Sequence, residues 1–231
     1  ELEITLIKSC WLREDANRAV ALHLPPLPLN VEFQLTASPQ NGGGHPYWED
    51  TRLLNLHDTL LLIVDIQEKL FRSMHAKEEL LSNALRLVRG GRALGVPFIW
   101  AEQNPKGLGS TVPELAALLT DVTPISKFTF NCCDSEGCML ALRDSGRRSV
   151  LIAGIEAHIC VYQTAVSLSA AGFTVEVVAD ACSSRTPENK RIGLEKCRTA
   201  GAAITSVETA LFELLKVAEG PVFKEILKIV K

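Results

Sequence analysis

The chain is short of several things, and each shortage narrows what it can be. No two of its seven cysteines are spaced C-x-x-C, and the count is odd and mostly scattered. Neither a disulfide framework nor a zinc ribbon is indicated, and a reducing, cytoplasmic setting is expected. No uncharged apolar run approaches the roughly 18 residues of a membrane span, because His23, Pro25, Pro26 and Pro28 interrupt the apolar stretch near the N-terminus. Neither a membrane crossing nor a secretory signal is expected. Lysine and arginine form no dense stripe and the formal net charge is −3, which makes nucleic acid a poor partner. Gly107 and Gly109 form a G-x-G without a third glycine and away from the first strand, so a nicotinamide cofactor fails on position. What is present is globular: 231 residues, 47% hydrophobic and 22% charged, enough for one large core with or without an appendage.

Residues 1–57 read differently from the rest. They hold five of the eleven prolines and the run Gly42-Gly43-Gly44, and their four basic and seven acidic residues account for the whole net charge. With no sustained period of 2 or 3.6, this segment is expected to be a poorly ordered extension that residues 58–231 do without. From residue 58 short apolar runs alternate with helical patterns, the mark of βα units around a parallel sheet and hence of an α/β fold. Strands are expected at 60–64, 97–101, 122–125, 149–153, 174–179 and 202–205. Helices are expected at 77–94 and 157–171, in a short segment capped by Thr111 with Glu114, after Thr186 with Pro187 in its first turn, after Thr205 with Glu208, and at 221–231. In that last helix Phe223, Ile226, Leu227 and Val230 are apolar and offer a face to bury between subunits.

Ligands of an open parallel sheet collect beyond the carboxyl ends of the strands. Three residues stand out there. Asp65 ends the first strand, Lys127 follows the third, and Cys160 lies just inside the helix after the fourth. A carboxylate, an ammonium and a thiol directed at one crevice make a nucleophile with its base and a charge to steady both. A helix N-terminus and a nearby cation favour the thiolate, which is expected to form below the ~8.5 of a free thiol, whereas Asp65 opposes it, so the thiol and the carboxyl are expected to titrate as a unit. Taken singly, each residue has a commoner role: a strand-end cap, a solvated lysine, a small buried hydrophobe. Cys132, Cys133, Cys138, Cys182 and Cys197 are read in that last way.

The segments Leu62-Ile63-Val64-Asp65-Ile66-Gln67, Ser126-Lys127-Phe128 and Gly154-Ile155-Glu156-Ala157-His158-Ile159-Cys160-Val161 resemble the isochorismatase-like cysteine hydrolases over essentially all of residues 58–231. The segments at 102–109 and 183–189 resemble the branch of isochorismatase domain-containing hydrolases whose substrates are mostly uncharacterised. The resemblance implies a three-layer, Rossmann-like fold with a six-stranded parallel sheet in the order 3-2-1-4-5-6 and helices on both faces. It implies a catalytic triad of Asp65, Lys127 and Cys160, an oxyanion hole of the Glu156 and Cys160 backbone N–H groups, a cis peptide bond between Ile155 and Glu156, and assembly into a homo-oligomer. Gln67, Gln103, Phe128 and His158 are candidates to line a small-molecule pocket.

By the same resemblance, Cys160 argues for C–N hydrolysis, since the members that cleave isochorismate's vinyl ether lack this nucleophile. Nicotinamidases carry metal-binding histidines after the second strand, and residues 101–113 have none, so no metal and no cofactor are expected. Ala157 stands where a threonine is usual, which separates this chain from the best-known substrates. The expectation is a metal-independent cysteine hydrolase acting on a small amide, carbamoyl or ureido compound through a thioester. The alternatives are a catalytically idle oligomeric scaffold or small-molecule binding protein on the same fold, and vinyl-ether hydrolysis.

Overall fold

A computed structural model describes residues 53–231, so the extension expected at 1–57 falls outside the described residues except for its last five. Those five pack onto the domain. Leu54 is buried and its N–H donates to Glu213 Oε2 at 3.2 Å, the Asn55 carbonyl accepts from Thr59 Oγ1, and the Leu56 carbonyl accepts from Arg147. The packed chain therefore starts by Leu54, four residues earlier than the composition implied.

In chain order the elements are β1 (Thr59–Val64), α1 (Glu68–Phe71), α2 (Lys77–Leu94), β2 (Phe98–Gln103), α3 (Pro105–Leu108), α4 (Pro113–Ala116), β3 (Ile125–Lys127), α5 (Glu136–Asp144), β4 (Ser149–Ile155), α6 (Tyr162–Ala170), β5 (Thr174–Ser183), α7 (Pro187–Thr199), β6 (Ala203–Thr205), α8 (Val207–Leu215) and α9 (Gly220–Val230). The strands form one parallel sheet in the order β3-β2-β1-β4-β5-β6. Every residue of β1 is buried because helices cover both faces of the sheet. Its alternation divides the core: Leu61 and Ile63 join the cluster with Leu87, Val88, Leu211 and Ile226, while Leu60, Leu62 and Val64 join the one with Leu142, Val161 and Leu168. In α2, Leu80, Ala84, Leu87 and Val88 recur at helical spacing on the buried side, and Gly95 at φ 73° ends the helix.

Several local expectations shift. β3 begins at Ile125 because it pairs with Ala101–Gln103 of β2, and this draws Lys127 into the strand rather than after it; Val122 packs into the core from the preceding loop. Thr111 is not a cap. Its N–H and Oγ1 both donate to Glu102 Oε1, at 2.7 and 2.8 Å, and α4 starts behind Val112 without a side-chain cap. Ser206, not Thr205, caps α8, because its Oγ is the one that reaches the Thr209 N–H. The helix expected from residue 157 opens with a wide turn at Ala157–Val161 before α6. On α9, Ile226 is fully buried in the chain's own core, with Val222, Ile229 and Val230 packed against it. Much of the face read as an oligomer contact is thus used within the chain.

Candidate active site

Asp65 leaves β1 with φ 53°, in the left-handed region that glycine favours, which ends the strand abruptly and keeps the carboxylate at the sheet's edge. Parallel pairing aligns Val64 with Ala101 and with Gly154, and Gln103 with Lys127, so the carboxyl ends of β2, β1 and β4 and the side of β3 meet at one level. At that level Lys127 Nζ lies 2.6 Å from Asp65 Oδ2, with both side chains fully shielded from solvent. The remaining ammonium protons reach the Thr129 and Phe130 carbonyls at 3.1 and 3.3 Å. All three donors of the lysine are thereby used.

Cys160, 4% exposed, sits on the wide turn after β4. Its Sγ donates to Gln103 Oε1 at 3.3 Å, and Gln103 is held in turn by Gln67, whose amide bonds both the N–H and the carbonyl of Gln103 and the Gly109 carbonyl. Gln67 is fully buried and braces the wall, while Gln103 touches the sulfur. Lys69 to the Gly107 carbonyl and Glu102 to Thr111 pin the same 104–112 loop. Phe128 is 78% exposed and stands out into solvent beside the lysine. His158 is half-buried, its Nδ1 3.0 Å from Ser184 Oγ.

The charges do not act as a lone helix N-terminus would. Burial pushes the Cys160 thiol up and Asp65 pushes it further, against the opposing pull of Lys127 and of the Glu156 N–H directed at the sulfur. The expected depression of this thiol is therefore corrected: desolvation and the carboxylate outweigh the cation. Burial also raises Asp65 above the ordinary carboxylate value although Lys127 pulls it down. Desolvation on its own would lower Lys127, but Asp65, Cys132 and Cys160 hold it above its usual value. Cys160 thus lies beside the paired Asp65 and Lys127, with Asp65 Oδ1 buried and without a hydrogen-bond partner among the described residues.

The Ile155–Glu156 peptide bond is cis. The Glu156 carboxylate accepts from both the N–H and Nε of Arg185, each at 3.1 Å. Sequence reasoning marked the 183–189 segment but assigned no role to Arg185 or Ser184, because neither lies near Cys160 in the chain. Register alone brings them together, since Ile155 pairs with Ser183. The carbonyls that anchor Lys127 carried no signal at all. Among the described residues no three His, Cys, Asp or Glu side chains are grouped so as to hold a metal ion.

Residues 59–209 match the model of the isochorismatase domain. The chain belongs to the isochorismatase family. It is 38% identical over 177 residues to isochorismatase domain-containing protein 2 of Xenopus laevis, covering 77% of this chain and 85% of that one. Among solved structures of similar fold, the MAR1 ribonuclease of Caenorhabditis elegans is 34% identical with a TM-score of 0.73, over 77% of this chain and 92% of its own. YcaC from Pseudomonas aeruginosa, with hexane-2,5-diol and covalent acrylamide, is 26% identical with a TM-score of 0.74, over 80% and 93%. The isochorismatase-family hydrolase fold accounts for the sheet order. No helix among the described residues is long and apolar enough to cross a membrane.

Proposed function

We propose that this isochorismatase-family protein is a cysteine hydrolase that cleaves a C–N bond of a small amide, carbamoyl or ureido compound through a thioester, with no metal in the reaction. The observation that carries the reading is the buried Asp65–Lys127 pair next to Cys160, with one carboxylate oxygen left free to accept a proton. A buried ion pair contributes little to stability compared with apolar packing, so its position against a nucleophile favours a chemical role.

In the proposed sequence, Asp65 takes the proton of the Cys160 thiol as sulfur attacks the carbonyl carbon. The tetrahedral oxyanion is met by the N–H groups of Glu156 and Cys160. Asp65 returns the proton to the leaving ammonia or amine, then deprotonates the water that resolves the thioester, acting as acid and base in turn. Lys127 keeps one negative charge in the site at every stage. The covalent acrylamide of the Pseudomonas aeruginosa relative supports an electrophile-reactive group on this fold. A homo-oligomer acting in the cytoplasm completes the proposal.

A second reading, a binding protein on the same fold, is favoured by one observation, the burial of Cys160 beside the Asp65 carboxyl, which raises its thiol. Ammonia release across a panel of small amides and ureides separates the two. Turnover that disappears in Cys160→Ala supports the hydrolase, and saturable binding without turnover supports the binding protein. Ammonia release that survives Cys160→Ala removes the thioester route, whereas vinyl-ether-type chemistry is read separately, as hydrolysis of an enol ether that releases no ammonia and survives the same substitution.

A further inference from the structure

The sheet has a second concavity at its other end. A cavity of about 810 Å³ opens where β4, β5 and β6 begin, lined by Ser149, Thr174 and Ala203, whereas Asp65 and Cys160 follow the carboxyl ends of their strands. Strands of this length separate the two ends by about 15–20 Å. The volume lies within the ~300–1,000 Å³ range of small-molecule sites.

Its wall contains a carboxylate with no partner among the described residues. Glu176 of β5 lines the cavity and is 6% exposed, yet makes no hydrogen bond or ion pair among the described residues. Glu213, close enough to repel it, accepts the Leu54 N–H instead. Strand alternation puts Glu176 on the face of the sheet that carries Leu54 and α8, opposite Val175. A carboxylate beside a second one is costly to leave without a donor. Ala203, its register partner on β6, and Leu53 supply apolar surface on the lining. Arg198 also reaches the lining, but from an exposed position, and Asp58 is engaged by Arg148.

We propose that this cavity is a second binding site, for a small organic cation whose primary ammonium group is taken by Glu176 while its short apolar body rests on Ala203 and Leu53. The ammonium supplies donors to Glu176 and offsets the charge shared with Glu213. Burial and Glu213 raise the Glu176 carboxyl to about 7, so near neutral pH a bound cation meets a carboxyl at the edge of ionisation and draws it to the charged form.

The test is calorimetric titration of the full chain at pH 8 with n-butylammonium, butyrate and n-butanol as probes. Saturable binding of n-butylammonium alone, weakened at least tenfold in Glu176→Gln, is the expected result. Ala203→Phe, which fills the cavity from the edge strand, should weaken it likewise and decides the matter if Glu176→Gln does not fold. No saturable binding of the amine to the unaltered chain, equal binding of butyrate or butanol, or undiminished amine binding in a folded variant would overturn the proposal.

Discussion

At the scale of single residues, the question is what a buried thiol gains from a buried ion pair. Asp65 must be ionised to act as a base, and burial raises its pKa despite Lys127. The acid limb of kcat/KM is therefore expected above the ordinary carboxylate range, with activity falling as pH drops through it. Lys127→Ala removes the charge that favours the carboxylate, so the limb should move to higher pH; a pH–rate profile in which it stays put or moves down would contradict the assignment. The same substitution leaves Asp65 buried and alone, and the expected loss of stability is about 3–5 kcal/mol by urea unfolding. The three residues could be marked as candidates because Asp65 and Lys127 follow apolar runs and Cys160 lies in the segment after the fourth run, in the order of the family motif. The sign of the Cys160 shift was not legible, because it depends on how much water the fold excludes and on the carboxylate's distance.

At the scale of elements, close approach decides what the helices can do. A Cβ on Gly193 of α7 would lie 2.5 Å from the carbonyl of Ala157 and the N–H nitrogen of His158, both backbone atoms of the turn that carries Cys160. Gly193→Ala should push α7 off that turn, lowering stability by about 1–3 kcal/mol and reducing turnover more than an alanine elsewhere on α7, as paired melting and activity measurements would show. On β5, the folded-state carboxyl of Glu176 is raised to about 7 from 4.5. Its contribution is fully present below the unfolded value and is lost as pH rises from about 4.5 to about 7, with a plateau above. Glu176→Gln should flatten that part of the stability profile and be the more stable chain at pH 8; an unchanged slope in chemical denaturation would contradict it. β5 and α2 were readable from apolar runs and helical spacing. β3 was misplaced because a three-residue edge strand takes its register from β2, not from its own hydrophobicity, and Thr111 was taken from its capping pattern by the carboxylate of Glu102.

At the scale of the whole molecule, the domain's start is set by packing. Residues 53–57 tie to Thr59, Arg147 and Glu213, and Leu54 enters the core. A chain beginning at residue 53 is expected to melt with the full chain, whereas one beginning at residue 58 loses the burial of Leu54 and should be destabilised by about 2–4 kcal/mol. Equal melting of the two would return the boundary to residue 58. Ile226 makes the corresponding case at the other end. Ile226→Ala is expected to cost about 2–5 kcal/mol by thermal or chemical unfolding, because α9 closes the same core rather than lying free for a partner.

The sequence by itself determined the α/β class and marked Asp65, Lys127 and Cys160 as candidates, since alternating apolar runs and helical patterns are local properties and the residues that follow apolar runs can be counted along the chain. The tertiary structure decided the electrostatic balance of the site, the bracing of Gln103 by Gln67, the link from Glu156 to Arg185 and the place of Glu176, which has no partner among the described residues. These depend on strand register and on which polar groups are left away from water, and both are settled only when segments distant in sequence are packed together.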